Sequence, residues 1–200
     1  MQKVYSKMSF SIRPMRVDPV ELCQVAILHR QCLDYTLTSH RGLSTVAALY
    51  KIVHDSNCKI VVAIVDELIA GVIAIRELGT KVPNFRLLTR NPWTWLRAGR
   101  ILGLRRLMSE IKESMLIQRM YAKYDDHDHI LSLFVSPQFR REGIGNALLD
   151  LATSSARSRN AAICVDTRAN NSNAIRLYQS HEFQIIDFSS ETVILRYLAS

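Results

Sequence analysis

The chain has 200 residues, an apolar fraction of 48% and a formal net charge of +8, a composition ordinary for a globular protein. This length can bury a sizeable core and fits one domain better than two, so we expect a single domain over residues 1–200. The sequence contains no apolar run long enough for a signal peptide or a membrane-spanning helix, so a cytoplasmic protein is expected.

The cysteines argue against both a disulfide framework and a metal site. Cys23, Cys32, Cys58 and Cys164 lie far apart and form no CxxC pair. Such spacing is typical of reduced thiols rather than of disulfide-stapled or zinc-binding domains. We therefore predict no metal cofactor.

The positive charge is concentrated in one segment. Between Thr80 and Tyr124 there are ten lysines and arginines against Glu110 and Glu113, and this difference of eight equals the whole net charge. A basic patch confined to one segment favours a local anionic partner over a face that binds nucleic acid. We predict no nucleic-acid partner.

The first half of the chain predicts a strand, two helices and a hairpin. A strand in "SFSIRPMRV" is followed by a helix that Asp18 can cap, with Pro19 as its first residue. A second helix is predicted from Ser44. The β-branched runs "KIVVAIV" and "LIAGVIAI", separated by Asp66 and Glu67, indicate two strands of a hairpin.

The segment of about residues 80–126 interrupts this regularity. Leu104, Met108, Ile111 and Met115 recur at helical spacing, which predicts a helical insertion between the third and fourth strands.

Strands and helices alternate again after the insertion. "HILSLFVS" and "AAICVDT" predict strands, and "IGNALLDLATSSARSR" and "SNAIRLYQSH" predict the helices that follow them. "FQIIDF" and "TVILRYL" predict two final strands. This order favours an α/β fold with a mixed sheet.

The loop "SPQFRREGIGN" joins a strand to a helix and contains two glycines one residue apart. Glycine allows a close approach of the backbone to a ligand, and a helix start offers amide donors to an anion such as pyrophosphate. The spacing is neither the Walker nor the Rossmann pattern. From the spacing alone, a phosphate site and a simple helix start remain equally open.

Two motifs resemble those of the GNAT superfamily of acyl-CoA-dependent N-acetyltransferases. "VSPQFRREGIGNALL" resembles motif A, and its RxxGxG pattern falls on Arg140, Gly143 and Gly145. "NNSNAIRLYQSHEF" is similar to motif B, with the matching residues Asn171, Ala174, Leu177, Tyr178 and Phe183. The close resemblance spans about residues 129–188. It implies the GNAT fold, a twisted and mostly antiparallel mixed sheet flanked by helices.

The resemblance implies that acetyl-CoA is the cosubstrate. In the family, coenzyme A binds along a bulged strand that splays from its neighbour, across the glycine loop and near the asparagine of motif B. The matching residues are Leu133, Phe134, Val135, Arg140, Arg141, Glu142, Gly143, Ile144, Gly145, Asn146 and Asn171.

The resemblance also implies direct attack of an amine on the thioester. Tyr178 matches the residue that protonates the departing thiolate, and a backbone N–H near Val135 would stabilise the oxyanion. Asp166 matches an acidic base found in some relatives, whereas His129, with His127 nearby, matches histidine bases found in others. Asp166 ranks slightly above His129.

One position departs from the family pattern. Relatives usually have glycine before the closing Phe of motif B, in a left-handed conformation, and this chain has Glu182. Either the helix ends differently here, or a strain on the order of 1 kcal/mol is tolerated.

The sequence does not identify the acceptor amine. The arginines of the insertion suit a small anionic amine such as an amino sugar, and Trp93 and Trp95 among basic residues also suit peripheral contact with an anionic membrane. A protein amino-terminal or lysine acetyltransferase and a non-catalytic coenzyme-binding module are the alternatives. The oligomeric state is open, with a homodimer among the alternatives.

Overall fold

The computed structural model describes residues 9–33, 42–80, 123–124, 126–189 and 191–199. In these ranges the chain forms strands and helices in the predicted alternation. The strands are β1 (Ser11–Pro14), β2 (Lys59–Val65), β3 (Leu68–Arg76), β4 (Asp128–Val135), β5 (Ile163–Arg168), β6 (Gln184–Phe188) and β7 (Thr192–Tyr197). The α-helices are α1 (Pro19–Cys32), α2 (Leu43–Asp55), α3 (Ile144–Ser158) and α4 (Ser172–Gln179).

The strands form one mixed sheet in the order β1-β2-β3-β4-β5-β7-β6. The β4–β5 pair is parallel, and the other pairs are antiparallel. The predicted α/β class with a mostly antiparallel mixed sheet is therefore confirmed. The predicted helical insertion falls between β3 and β4, and its residues 81–122 lie outside the described residues. Within the described parts of the chain, no helix is long and apolar enough to span a membrane.

The sheet has a core on each face. On one face, apolar residues of β2 to β5 and β7 pack against α3 and α4; Ile73, Ile130 and Leu148 are at most 2% exposed. On the other face, β2, β3 and β4 pack against α1 and α2 around Val25, Val46 and other buried residues. Helices on both faces of a sheet are the expected way to bury strands this apolar.

The predicted start of α1 is confirmed. The Asp18 side chain accepts hydrogen bonds of 2.9 Å from the backbone amides of Val20 and Glu21, and Pro19 is the first helical residue. Glu21 then pairs with Arg13 of β1 and accepts from the Arg16 amide at 2.7 Å. The Asp18 cap therefore fixes where α1 begins, because it accepts from two backbone amides that have no acceptor within the helix.

Gly71 permits α3 to lie close to β3. A Cβ atom at this position would lie 2.8 Å from Ile144 Cγ2 and 3.1 Å from Leu148 Cδ1. Glycine within a strand often marks such a close approach. The glycine in "LIAGVIAI" therefore sets the height of the first turn of α3 above the sheet, a role that was not predicted from the sequence.

A buried carboxylate ties the far end of α3 to the sheet. Asp128, fully buried at the start of β4, accepts a 2.7 Å hydrogen bond from the Leu78 amide and pairs with Arg159 at 2.5 Å. Arg159 also lies 3.1 Å from Glu77, which pairs with Lys59 at 2.6 Å. These partners compensate the burial of the Asp128 charge, and they join β2, β3, β4 and the end of α3.

A polar cluster is buried between α1, α2 and β4. His29 Nδ1 lies 2.9 Å from the Tyr50 hydroxyl, which lies 3.5 Å from Ser132 Oγ. The rings of His29, Tyr50 and Phe134 meet edge to face. Burial lowers the pKa of His29 from 6.5 to about 4 and raises that of Tyr50, so both side chains are neutral at physiological pH.

We expect Gly71→Ala to destabilise the fold by about 1–3 kcal/mol, because the added methyl group overlaps Ile144. Denaturant unfolding measures this change. The matched control is Gly42→Ala at the start of α2, where φ is −57° and the nearest atom to a new Cβ is Ser44 Oγ at 3.8 Å. The control should change stability by less than about 0.5 kcal/mol; equal effects of the two substitutions would contradict the close packing of α3.

We expect the stability to fall as the pH drops from about 6.5 to 4, with His29 responsible for about 3 kcal/mol of this loss. The folded pKa lies below the unfolded one, so the unfolded state takes up the proton first and His29 stabilises the fold only at higher pH. Urea unfolding across this range should give a shallower pH dependence for His29→Gln.

Candidate active site

A gap opens between β4 and β5. The two strands pair only from Asp128 to Ile130 on β4, although β4 continues to Val135. The β3–β4 register shifts at the same point, because Ile75 pairs with Ile130 while Ala74 pairs with Ser132. One extra residue, Leu131, is accommodated there as a bulge, and a bulge bends its strand. The bulge and splay implied by the resemblance are therefore present.

The bulge also decides which side chains face each core. Ile130, Leu133 and Val135 pack on the α3 and α4 side, whereas Phe134 is buried against α1 and α2. A ligand in the gap would therefore meet the edge of β4, where the backbone of residues 131–135 no longer pairs with β5. The coenzyme contacts predicted for Leu133, Phe134 and Val135 remain predictions. Contacts through their backbone groups fit the structure best, because their side chains pack into the two cores.

The glycine loop presents backbone amides at the end of the gap. After a 3₁₀ turn (Pro137–Phe139), Arg141 has φ +69° and Gly143 has φ +84°, and α3 begins at Ile144 with no side-chain cap. Helix geometry leaves the amides of the first turn, including Gly145 and Asn146, without intrahelical acceptors. These amides and the positive end of the helix dipole suit a phosphate.

Charged side chains surround this loop. Arg140 and Arg141 are exposed, and Glu142 is half-buried. Arg140 Nε donates to the Val135 carbonyl at 3.3 Å, and Cys32 Sγ at the end of α1 approaches the same oxygen at 3.4 Å. Burial raises the pKa of the Cys32 thiol, and the nearby Arg140 opposes this rise. This role of Cys32 was not predicted from the sequence, because the contact joins Cys32 to Val135 at the end of β4, 103 positions along the chain.

Tyr178 lies on the α3 and α4 side of the sheet. It is 4% exposed, packs against Phe183 with ring centroids 5.5 Å apart, and belongs to the same core as Ile163 and Val165 of β5. Glu182 keeps a left-handed conformation, with φ +67°. Of the two alternatives considered from the sequence, α4 therefore ends in the family geometry and the strain is tolerated.

Asn171 caps α4. Its Oδ1 accepts from the Ala174 amide at 3.2 Å, and its Nδ2 donates to Thr167 Oγ1 at 3.4 Å. The structure thus gives this side chain a local role at the start of the helix that carries Tyr178. Its predicted contact with coenzyme A remains a prediction.

The two candidate bases lie on the face opposite Tyr178. His129 pairs in register with Cys164, and Asp166 is two residues farther along β5. Side chains alternate between the faces of a strand, so His129, Cys164 and Asp166 share a face that Val165 does not. Asp166 is half-buried, whereas His129 is 4% exposed and its Nε2 lies 3.0 Å from the Tyr124 carbonyl oxygen. The geometry therefore favours Asp166, the more accessible group.

Comparisons with known proteins agree with this geometry. Residues 25–183 match the acetyltransferase (GNAT) family. A search of curated proteins by sequence gave no significant match.

Solved structures share the fold over nearly the whole chain. The ribosomal-protein-S18-alanine N-acetyltransferase of Escherichia coli has 14% identity and a TM-score of 0.59, covering 96% of this chain and 95% of that one. The PaiA N-acetyltransferase of Thermoplasma acidophilum, in complex with coenzyme A, has 13% identity and a TM-score of 0.60, covering 96% and 99%. YncA of Salmonella typhimurium, solved with its cofactor acetyl-CoA, has 12% identity and a TM-score of 0.59, covering 96% and 94%.

The family match covers most of the chain, and it includes the bulged strand, the glycine loop and the helix of Tyr178. The protein belongs to the acetyltransferase (GNAT) family.

Proposed function

We propose that the protein transfers an acetyl group, in the cytoplasm, from acetyl-CoA to a primary amine of a small acceptor that carries an anionic group. The observation that carries the chemistry is the β4–β5 gap, with Tyr178 on one face and Asp166 on the other. The anionic acceptor rests on the surplus of positive charge between Thr80 and Tyr124 in the sequence.

Acetyl-CoA suits the groups around the gap. The first-turn amides of α3, with Arg140 and Arg141, offer donors for its pyrophosphate. The free edge of β4 beyond Ile130 offers backbone groups for the pantetheine arm. A Cβ atom on Gly145 would lie 3.4 Å from Leu177 Cδ2 and 3.8 Å from Val135 Cγ2, so this glycine lies between α4 and the end of β4.

The reaction needs a base and an acid on opposite sides of the thioester that acetyl-CoA supplies. Asp166 takes the proton of the ammonium group, so that the nitrogen lone pair can form the new C–N bond. A backbone N–H near Val135 stabilises the negative charge on the carbonyl oxygen. The attacking nitrogen, now positively charged, loses its second proton to solvent, and as the C–S bond breaks Tyr178 donates its proton to the sulfur and is reprotonated by solvent. Direct attack in a ternary complex requires no covalent acyl-enzyme.

Acceptor preference can be tested by following release of the coenzyme A thiol with matched pairs of amines. Glucosamine 6-phosphate should react faster than glucosamine at low acceptor concentration, and the difference should shrink with salt, since the Debye length is about 8 Å at physiological ionic strength. Replacing Arg97, Arg100, Arg105 and Arg106 with Gln should raise the Michaelis constant for the phosphorylated amine alone.

Three results would contradict this proposal. Preference for peptides would indicate a protein acetyltransferase. Coenzyme binding without turnover of any amine would indicate a binding module. If the four substitutions instead abolished sedimentation with phosphatidylserine vesicles and left acceptor kinetics unchanged, the basic segment would be a membrane contact.

We expect Tyr178→Phe to lower kcat by about two to four orders of magnitude and to leave coenzyme affinity nearly unchanged, because the phenol proton is needed only as the thiolate departs. Steady-state kinetics and calorimetry measure the two effects. Full activity of the Phe variant would assign the proton to another donor.

We expect Gly143→Ala to weaken coenzyme A binding by about tenfold, since a side chain at φ +84° distorts the loop whose amides would hold the pyrophosphate. Gly79→Ala is the matched control, because Gly79 also has positive φ (+85°) and no atom within 4 Å of a new Cβ. Both variants carry the same backbone strain, so calorimetry separates strain from binding. Equal affinities in the two variants would contradict the loop's role.

A further inference from the structure

The helix that carries Tyr178 is anchored by apolar and polar contacts. α4 has eight residues, of which Tyr178 is the buried one, and the half-buried Ala174, Ile175 and Leu177 pack against the same core. Asn171 caps the start of the helix. Polar contacts just after the helix add to this anchorage at the end where Tyr178 lies.

His181 connects this last turn to α3. Its Nε2 lies 3.1 Å from Asp150 Oδ1, and its Nδ1 lies 2.9 Å from the Leu177 carbonyl oxygen and 3.2 Å from Ser180 Oγ. The His181 side chain is 11% exposed, whereas that of Asp150 is 67% exposed. The ring is thus held inside the corner between the two helices, with its outer nitrogen directed at a carboxylate on α3.

The contact with Asp150 fixes the donor. A carboxylate only accepts, so His181 Nε2 carries a hydrogen and donates it to Asp150 Oδ1. The Ser180 hydroxyl donates to the Leu177 carbonyl oxygen at 2.8 Å, and His181 Nδ1 lies 2.9 Å from the same oxygen. These contacts hold the ring against the last turn of α4.

Contacts with α3 lie on either side of Tyr178 in the chain. At the first turn of α3, a Cβ on Gly145 would be 3.4 Å from Leu177 Cδ2, so Leu177 packs directly over that glycine. One and a half turns later, Asp150 meets His181. Tyr178 lies between Leu177 and His181 in the chain, so these contacts set its distance from the amides at the start of α3.

We propose that His181 is a positioning residue, which through Asp150 holds Tyr178 at a fixed place relative to the coenzyme loop. The proposal rests on the acid role of Tyr178 in the proposed function. The pair should add little to global stability, because Asp150 is largely exposed and such ion pairs are weak. Its effect should appear in turnover, since displacement of a reacting group by 1 Å can cost about 100-fold in rate.

The kinetic test compares His181→Leu and Asp150→Ala with the control Arg157→Gln, which removes a 3.8 Å exposed pair with Glu182 and a cation–π contact with the Tyr197 ring. The first two variants should lower kcat by about tenfold and change the Michaelis constant for acetyl-CoA by less than about twofold, whereas the control should be unchanged. In a Tyr178→Phe background, His181→Leu should cause no further loss, because both changes remove the same proton transfer.

The outcomes distinguish the positioning role of His181 from the acid role of Tyr178. Wild-type kcat for His181→Leu and Asp150→Ala, with an impaired Tyr178→Phe, would overturn the positioning role and leave the acid role intact. Full activity of Tyr178→Phe would overturn both. An additive loss in the double variant would also overturn the positioning role, because His181 would then act by another route.

A second measurement needs no acceptor. The amides of Ser180 and Phe183 donate to the Arg176 and Tyr178 carbonyl oxygens at the end of α4. Their hydrogen exchange should accelerate in Asp150→Ala and His181→Leu but not in Arg157→Gln. Unchanged exchange in the first two variants would show that α4 is held without His181 and would overturn the proposal.

Discussion

The interruption of strand pairing after Ile130 is the constraint on which the rest of the structure depends. Up to that residue β4 lies in register with both neighbours, and beyond it the bulge at Leu131 turns β4 away from β5 while pairing with β3 continues to Val135. A sheet normally satisfies both edges of an inner strand, so opening this one exposes backbone groups in the middle of the protein. A ligand with amide groups, such as the pantetheine arm, can satisfy them.

Such a gap persists only if the strands are held firmly on either side of it. Below the gap, Asp128 and Arg159 lock β4 to the end of α3, and Glu77 and Lys59 extend the contact to β3 and β2. Above it, Gly71 allows the first turn of α3 to approach β3, so the amides of that turn lie beside the end of β4. On the opposite face, the neutral pair His29 and Tyr50 fills the space behind Ser132 and Phe134.

The sheet separates the proposed acid from the proposed base. Alternation along β5 sends Val165 to the face of Tyr178 and Asp166 to the other face, so one strand of ordinary geometry provides the separation that the proposed mechanism requires. The strained conformation of Glu182 fits this arrangement, because it lets Phe183 return under the ring of Tyr178. Local strain is tolerated where the surrounding contacts determine the backbone, and Phe183 and His181 supply such contacts here.

The sequence by itself determined the order of elements, the glycine loop and the identity of the family, because these depend on periodicity, on residues with special backbone freedom and on motifs of fixed spacing. Only the tertiary structure decided that Tyr178 and Asp166 lie on opposite faces of the sheet, and that Gly71 contacts the first turn of α3, Cys32 the end of β4 and His181 the side chain of Asp150. The alternation of side chains along a strand is a local property, but a bulge shifts it. The bulge at Leu131 is not predictable from the sequence, because Leu131 fits the pattern of an ordinary strand residue. Contacts such as Cys32 with Val135 join residues distant in the chain, so no local pattern encodes them.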